Sequence, residues 1–186
     1  MIKYISLVIF CLFSLATYGQ EDKEHRHHDK HEEHLVRHSL SFVISHAYIS
    51  QGKIEGDREW LAAPSLALNY NYKINEKWAI GLHNDIIIES FVVEDPKNSE
   101  ELLEREYPIC NLLVGTYKLT QSWSLAVGTG VEWERNENFG VLRIGTEYGL
   151  ELHKHGLEVT FGINYDALFD AYDSFNFGLG ISKSFN

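Results

Sequence analysis

Residues 122–134 read SWSLAVGTGVEWE. Taken alternately they separate into two sets. Trp123, Leu125, Val127, Thr129, Val131 and Trp133 fall on one face of an extended chain; Ser122, Ser124, Ala126, Gly128, Gly130, Glu132 and Glu134 fall on the other. A period of two is that of a β-strand with one apolar face. The two tryptophans decide what that face meets. They share a face and lie ten residues apart, which at ~3.3 Å per residue and ~40° of tilt is ~25 Å along a barrel axis. That is the height of the apolar band between the aromatic girdles of a membrane-spanning barrel. The opposite face, small and polar with two acids, fits a narrow barrel interior and would make a poor solvent-facing surface.

The same alternation recurs on both sides of this stretch. Leu157, Val159, Phe161, Ile163 and Tyr165 oppose Glu158, Thr160, Gly162, Asn164 and Asp166; Phe175, Phe177, Leu179 and Ile181 oppose Ser174, Asn176, Gly178, Gly180 and Ser182. Eight strands are expected, at about 38–50, 60–73, 78–91, 106–119, 122–134, 140–152, 156–166 and 173–185. The first and fourth are ambiguous, because Val43, Leu112 and Val114 put bulk on both faces. Connections alternate between long polar ones (51–59, 94–106, 135–140, 169–173) and short ones (74–77, 120–122, 154–155). Within the longest, Asp95-Pro96 before KNSEELLERE reads as a capped short helix. The expected fold is all-β, an eight-stranded antiparallel up-and-down transmembrane β-barrel.

Residues 1–19 read as a cleavable signal peptide: Lys3, an apolar stretch from Ile5 to Ala16, then Thr17-Tyr18-Gly19 with small residues at −3 and −1. Residues 20–37 form a polar, His-rich linker, and the barrel is expected over 38–186. Removing the leader leaves 15 basic residues against 27 acidic ones, a net charge of −12, which argues against nucleic acid as a partner. One cysteine, Cys110, remains, so no internal disulfide can form.

In architecture residues 38–186 resemble the small eight-stranded outer-membrane barrels of Gram-negative bacteria, the OmpA/OmpX type. The last strand resembles the terminal assembly signal of that class through Gly178, Gly180, Lys183 and Phe185, with Asn186 following the usual terminal aromatic. The resemblance implies location in the outer membrane, contact with its lipid, and delivery by the barrel assembly machinery. An even strand number then places the linker and the short turns in the periplasm.

Parity fixes candidate contacts. With Lys154-His155 as a turn, 151 pairs with 158 and 143 with 166, and the outward pairs Leu152–Leu157, Leu150–Val159 and Tyr148–Phe161 are all apolar. Arg143 then meets Asp166 inside the barrel, and pairing 133 with 142 sets Glu132 beside it, as a lumen salt bridge. Glu151 opposite Glu158 is a like-charge pair that a cation or Lys118 would relieve, and His153 and His155 adjoin it. The linker segment EHRHHDKHEEH (24–34) holds His25, His27, His28, His31 and His34. His27, His31, His34 and His38 would share one face of a helix. Carboxylates and imidazoles together suit a divalent cation such as zinc, copper or nickel, with no cofactor required. The competing reading of the segment is a solvated spacer. The leading functional expectation is therefore a binding or structural barrel with a cation-handling periplasmic tail. The alternatives are a surface-interaction barrel acting through acidic outer loops with an inert tail, and a lipid A-modifying enzyme. For the enzyme the sequence offers only His38-Ser39, at the wrong rim, and Ser45-His46; no catalytic residue is assigned.

Overall fold

A computed structural model describes residues 37–54, 57–94, 102–152 and 156–186. Among the described residues there are ten strands and no helix: β1 (His38–Ile54), β2 (Asp57–Lys73), β3 (Trp78–Ile87), β4 (Ser90–Glu94), β5 (Leu102–Glu106), β6 (Ile109–Lys118), β7 (Trp123–Trp133), β8 (Phe139–Leu152), β9 (Leu157–Leu168) and β10 (Asp173–Phe185). Eight of them form an antiparallel wall in the order β1, β2, β3, β6, β7, β8, β9, β10. β10 pairs back onto β1 from His38↔Phe185 to Ile49↔Ser174, closing the barrel. The fold is the expected all-β, eight-stranded up-and-down barrel. Closure removes the strand edges an open sheet would expose.

Short turns and both chain ends of the wall gather at one end, here the turn end. There Asn75 Oδ1 accepts from the backbone N–H groups of Lys77 (2.9 Å) and Trp78 (2.8 Å), and Thr120 Oγ1 accepts from Ser122 (3.3 Å) and Trp123 (3.0 Å). Side-chain oxygens that bind the backbone two or three residues on are what make such turns tight. Each turn delivers a tryptophan at the first position of the next strand. Trp78 packs on Tyr117 and Trp123 on Tyr148, giving a ring of aromatics around the turn end.

The outward face is apolar and uncovered: Ile44 and Ile181 are each 59 % exposed, and all four tryptophans lie between 46 % and 57 %. Ser39, Ser41, Ser65, Asn69, Thr160, Ser174 and Ser182 are buried inside. This inverts a water-soluble barrel, and it is stable only where the outside is hydrocarbon.

Two expectations are corrected. The helix within 94–106 is absent where the chain is described: Leu102–Glu106 is strand β5, and 95–101 lie outside the described residues. The third and fourth expected strands are each broken, at Ile88-Glu89 and at Tyr107-Pro108, so that β4 and β5 form a separate hairpin. Proline supplies the reason. The Ile88 N–H donates to Pro64 O (2.8 Å), the last bond between β2 and the β3 chain, and Pro64 has no N–H to return. On the return path Tyr107 adopts a left-handed φ of 46° before buried Pro108. Released from the wall, the hairpin bends across the mouth, where Val93 pairs with Gly52 at the extended end of β1.

All four tryptophans face outward. In vesicles of bromine-labelled phosphatidylcholine, the tryptophan emission of the refolded protein is expected to be strongly quenched relative to unlabelled vesicles. Unquenched emission would place the apolar face elsewhere than in lipid.

Candidate functional site

The barrel interior divides into three levels. At the loop end, opposite the turns, the β4–β5 hairpin closes the mouth. Phe91 and Val93 insert among Ile49, Ala63, Phe139, Val141, Leu168 and Tyr172, all buried. Leu112 and Val114 lie inward beneath them. The bulk on both faces of the fourth expected strand thus has a purpose: its inner residues are the floor of this plug.

Arg105 of β5 fixes the plug and is fully buried. Its Nη2 bonds Glu132 Oε1 (2.6 Å), its Nη1 donates to the Glu137 carbonyl (2.6 Å) and reaches Glu134 Oε2 (3.4 Å), and its guanidinium carbon stands 4.8 Å from the Phe139 ring centroid. The Tyr172 hydroxyl donates to both oxygens of Glu132 (2.8 Å each). Burial and the adjoining Glu132 charge push the Tyr172 phenol well above its ordinary value, so it stays a donor. Burial alone would raise the Glu134 carboxyl, but the N–H groups of Asn136 and Arg135 together with Arg105 outweigh it and hold it below the ordinary range.

The middle level is a second buried arginine. Arg143 on β8 directs Nε and Nη2 to the two oxygens of Asp166 (2.6 and 2.7 Å), and Nη2 also meets Asp85 Oδ2 (2.5 Å). Asn176 Nδ2 donates to Asp166 Oδ2 (2.9 Å). The predicted pairing of 143 with 166 is present in the ladder. Glu132 is not the second partner. β7 and β8 pair through Glu132↔Phe139, which sets Gly128, not Glu132, opposite Arg143. The connection is tighter than expected because Asn138 Oδ1 accepts from the Glu134 N–H (3.1 Å) and Glu134 Oε2 accepts from the Asn136 N–H (2.8 Å). Glu132 then serves Arg105, and Asp85 takes its place at Arg143.

At the turn end the register Glu151↔Glu158 and Leu152↔Leu157 is as expected. Glu158 reaches along the inner face over Gly149, where an added Cβ would collide with its carboxylate. Lys118 and Lys73 are the cations whose charge acts on Glu158. His38 opens β1, so a helical face through His27, His31 and His34 cannot include it. Its Nδ1 and Tyr70 Oη are 2.7 Å apart, and its ring stacks on Phe185 within the aromatic ring of the turn end. The structure therefore brings Glu151 and Glu158 together and sets His38 apart from them. His25, His27, His28, His31, His34, His153 and His155 lie outside the described residues. Among the described residues no group of three or more His, Cys, Asp or Glu is arranged to hold a metal ion.

The serine–histidine neighbours do not form a catalytic pair. Ser39 is buried inside while His38 lies among the girdle aromatics. Ser45 bonds Ser65 Oγ inside the wall (2.7 Å), and His46 is exposed outside. Adjacent residues of a strand point to opposite faces.

No protein-family profile matches the chain, and no curated protein matches it in sequence. Among solved structures it is similar to Ail, the attachment invasion locus protein of Yersinia pestis, at 14 % identity and a TM-score of 0.49, over 80 % of this chain and 98 % of that one. It is similar to Neisserial surface protein A at 12 % identity and a TM-score of 0.47, over 80 % and 97 %. An outer membrane channel from Pseudomonas putida F1 matches at 10 % identity and a TM-score of 0.37, over 86 % and 100 %. Likeness at this level carries no activity from those proteins to this one.

Two outcomes are expected. Arg143→Ala leaves buried Asp166 and half-buried Asp85 without their cation and should lower the unfolding free energy in micelles by roughly 3–5 kcal/mol, read from urea titration. Arg105→Ala should instead loosen the plug, raising hydrogen exchange at 90–94 and 102–106 while the wall stays protected. Because the folded Glu134 titrates lower than in the unfolded chain, its stabilisation is present above the ordinary carboxylate range near 4.3 and lost on acidification through its depressed value. Hairpin exchange in the parent protein should rise in that window.

Proposed function

We propose that this is an outer-membrane barrel of binding or structural type, closed to general diffusion, whose His-rich segment 20–37 binds divalent transition-metal cations on the periplasmic side. The observation that carries the reading is the unequal filling of the barrel. The loop end is packed shut by buried Phe91, Val93, Tyr172 and Arg105, whereas the turn end leaves Glu147 and Glu151 exposed on the inner face with Glu158 half-buried beside them. A sealed outer mouth speaks against a porin, and a carboxylate-lined turn end is the kind of surface to which a cation is drawn. Outer-membrane lipid is the partner that the exposed apolar wall supports, and the barrel assembly machinery is the one that the resemblance of the last strand through Gly178, Gly180, Lys183 and Phe185 supports.

A second reading has its own observation. Glu89, Glu104 and Glu106 are exposed on and beside the plug hairpin, so a basic extracellular partner could engage the loop end while the segment 20–37 serves as a spacer.

Calorimetry with zinc, copper and nickel separates the two. The proteins compared are the mature chain, a deletion of residues 21–37, and His153→Ala combined with His155→Ala. The deletion is expected to weaken the tightest site by more than about tenfold, roughly 1.4 kcal/mol. Affinity should fall as pH drops through the histidine range near 6.5, because the ligands bind deprotonated. If the turn substitutions weaken it as well, the segment and the turn act together; if they change nothing, the segment acts alone. Binding no tighter than millimolar for all three metals would leave the second reading.

A further inference from the structure

Most of the outward wall is apolar, and its polar exceptions differ in kind. Thr129 turns its hydroxyl back onto the Val141 carbonyl (3.0 Å), leaving its methyl group for the surroundings. Asn84 on β3 and Asn111 on β6 cannot hide in this way. They stand directly opposite each other in the ladder, both exposed on the outer face. Asn111 Nδ2 donates to Asn84 Oδ1 (2.8 Å), and Asn84 Nδ2 donates to the Leu68 carbonyl (3.0 Å). The relay ends there: Asn111 Oδ1 accepts no bond among the described residues.

Depth makes this costly. Asn111 is two residues from Ile109, which pairs with Trp133, and Asn84 is six residues from Trp78. At ~2.5 Å of axial rise per residue in a tilted strand, the amides lie ~5 Å inside one aromatic girdle and ~15 Å from the other. Hydrocarbon offers no donor to a carbonyl oxygen, so Asn111 Oδ1 gains from any protein surface that brings an N–H group to it. Four residues further along the same face, beyond the Leu82–Leu113 pair, Gly115 leaves a flat place in β6, where an added Cβ would meet nothing nearer than the Val127 carbonyl at 3.8 Å.

We propose that this face of β3 and β6 is the contact surface of a homodimer within the membrane, in which the Asn84–Asn111 pair of one copy meets that of the other. A second copy is the occupant that fits, for two reasons. A two-fold axis along the membrane normal carries every residue to its own depth, so a polar pair at one level meets itself. A carboxamide holds both donor and acceptor, so it complements itself without a change of chemistry. The inference rests on the reading of the wall as membrane-spanning.

The test is single-molecule photobleaching of the labelled mature protein in phosphatidylcholine bilayers over a range of protein-to-lipid ratios. Flotation with vesicles of the same lipid reports membrane residence separately. Two-step bleaching is expected to dominate as the ratio rises. Asn84→Leu with Asn111→Leu should move the dimerisation midpoint to about tenfold higher density while flotation stays unchanged. Flotation with single-step bleaching at every ratio, or equal dimerisation by the leucine variant, would overturn the dimer alone. So would a lipid that the monomer retains and the leucine variant releases, seen by native mass spectrometry. Failure to float would remove the dimer and the membrane reading together.

Discussion

An arginine sealed inside an eight-stranded barrel must find its counter-charge within the wall that encloses it. Arg143 finds two, Asp166 one strand away on β9 and Asp85 across the lumen on β3. Buried charges contribute little net stability, because desolvation offsets most of the attraction, but they penalise any arrangement that separates them. That penalty does what hydrophobic alternation cannot. Sliding β8 past β9 by two residues would leave every side chain on its proper face, apolar out and polar in. It would also strip Arg143 of its bidentate partner. Asn176 on β10 extends the same constraint through its bond to Asp166. One ionic cluster therefore ties β3, β8, β9 and β10 into a single register.

This separates what the sequence makes legible from what it does not. Alternation assigns faces, and the faces of β7, β8, β9 and β10 are those read from Trp123–Trp133, Tyr148–Leu152, Leu157–Tyr165 and Phe175–Ile181. The β8–β9 register is legible because only four residues separate Leu152 from Leu157, which leaves few ways to join the strands. The β7–β8 register is not. The expected 133–142 pairing and the observed Glu132↔Phe139 pairing have the same parity and cannot be told apart by periodicity. The choice is made by Asn136 and Asn138 folding the connection onto Glu134. Asp85 is invisible for a related reason: its partner lies across the lumen, and no local pattern joins positions 85 and 143. The stretch EELLERE carries a helix-like composition, yet Leu103 and Arg105 turn inward with a period of two. The signal that could have exposed the plug was the awkward inner bulk of Leu112 and Val114, which only a covering element explains. Of the candidate cation site, the opposition of Glu151 and Glu158 was legible.

The two ends of the barrel solve the problem of closure with opposite chemistry. At the loop end an apolar cluster is held down by Arg105, whose charge is balanced by Glu132 and Glu134 and whose flat face lies against Phe139. Such an arrangement is firm because its parts come from distant stretches of chain: residue 105 from the hairpin, 132–139 from the next connection, and 172 from the last. Among the described residues no comparable cluster forms at the turn end. Its like charges are relieved by the charges of Lys118 on β6 and Lys73 on β2, strands that do not adjoin β8 or β9, and by solvent at the exposed Glu147 and Glu151. Among the described residues the turn end leaves Glu147 and Glu151 exposed to solvent, while the loop end presents a closed acidic surface. An ion entering from the turn end would meet carboxylates first and the Arg143 cluster beyond them, where every strong donor of the guanidinium except Nη1 is already taken by Asp85 or Asp166. Among the described residues the lumen is lined by carboxylates at the turn end and carries the buried guanidinium of Arg143 further in.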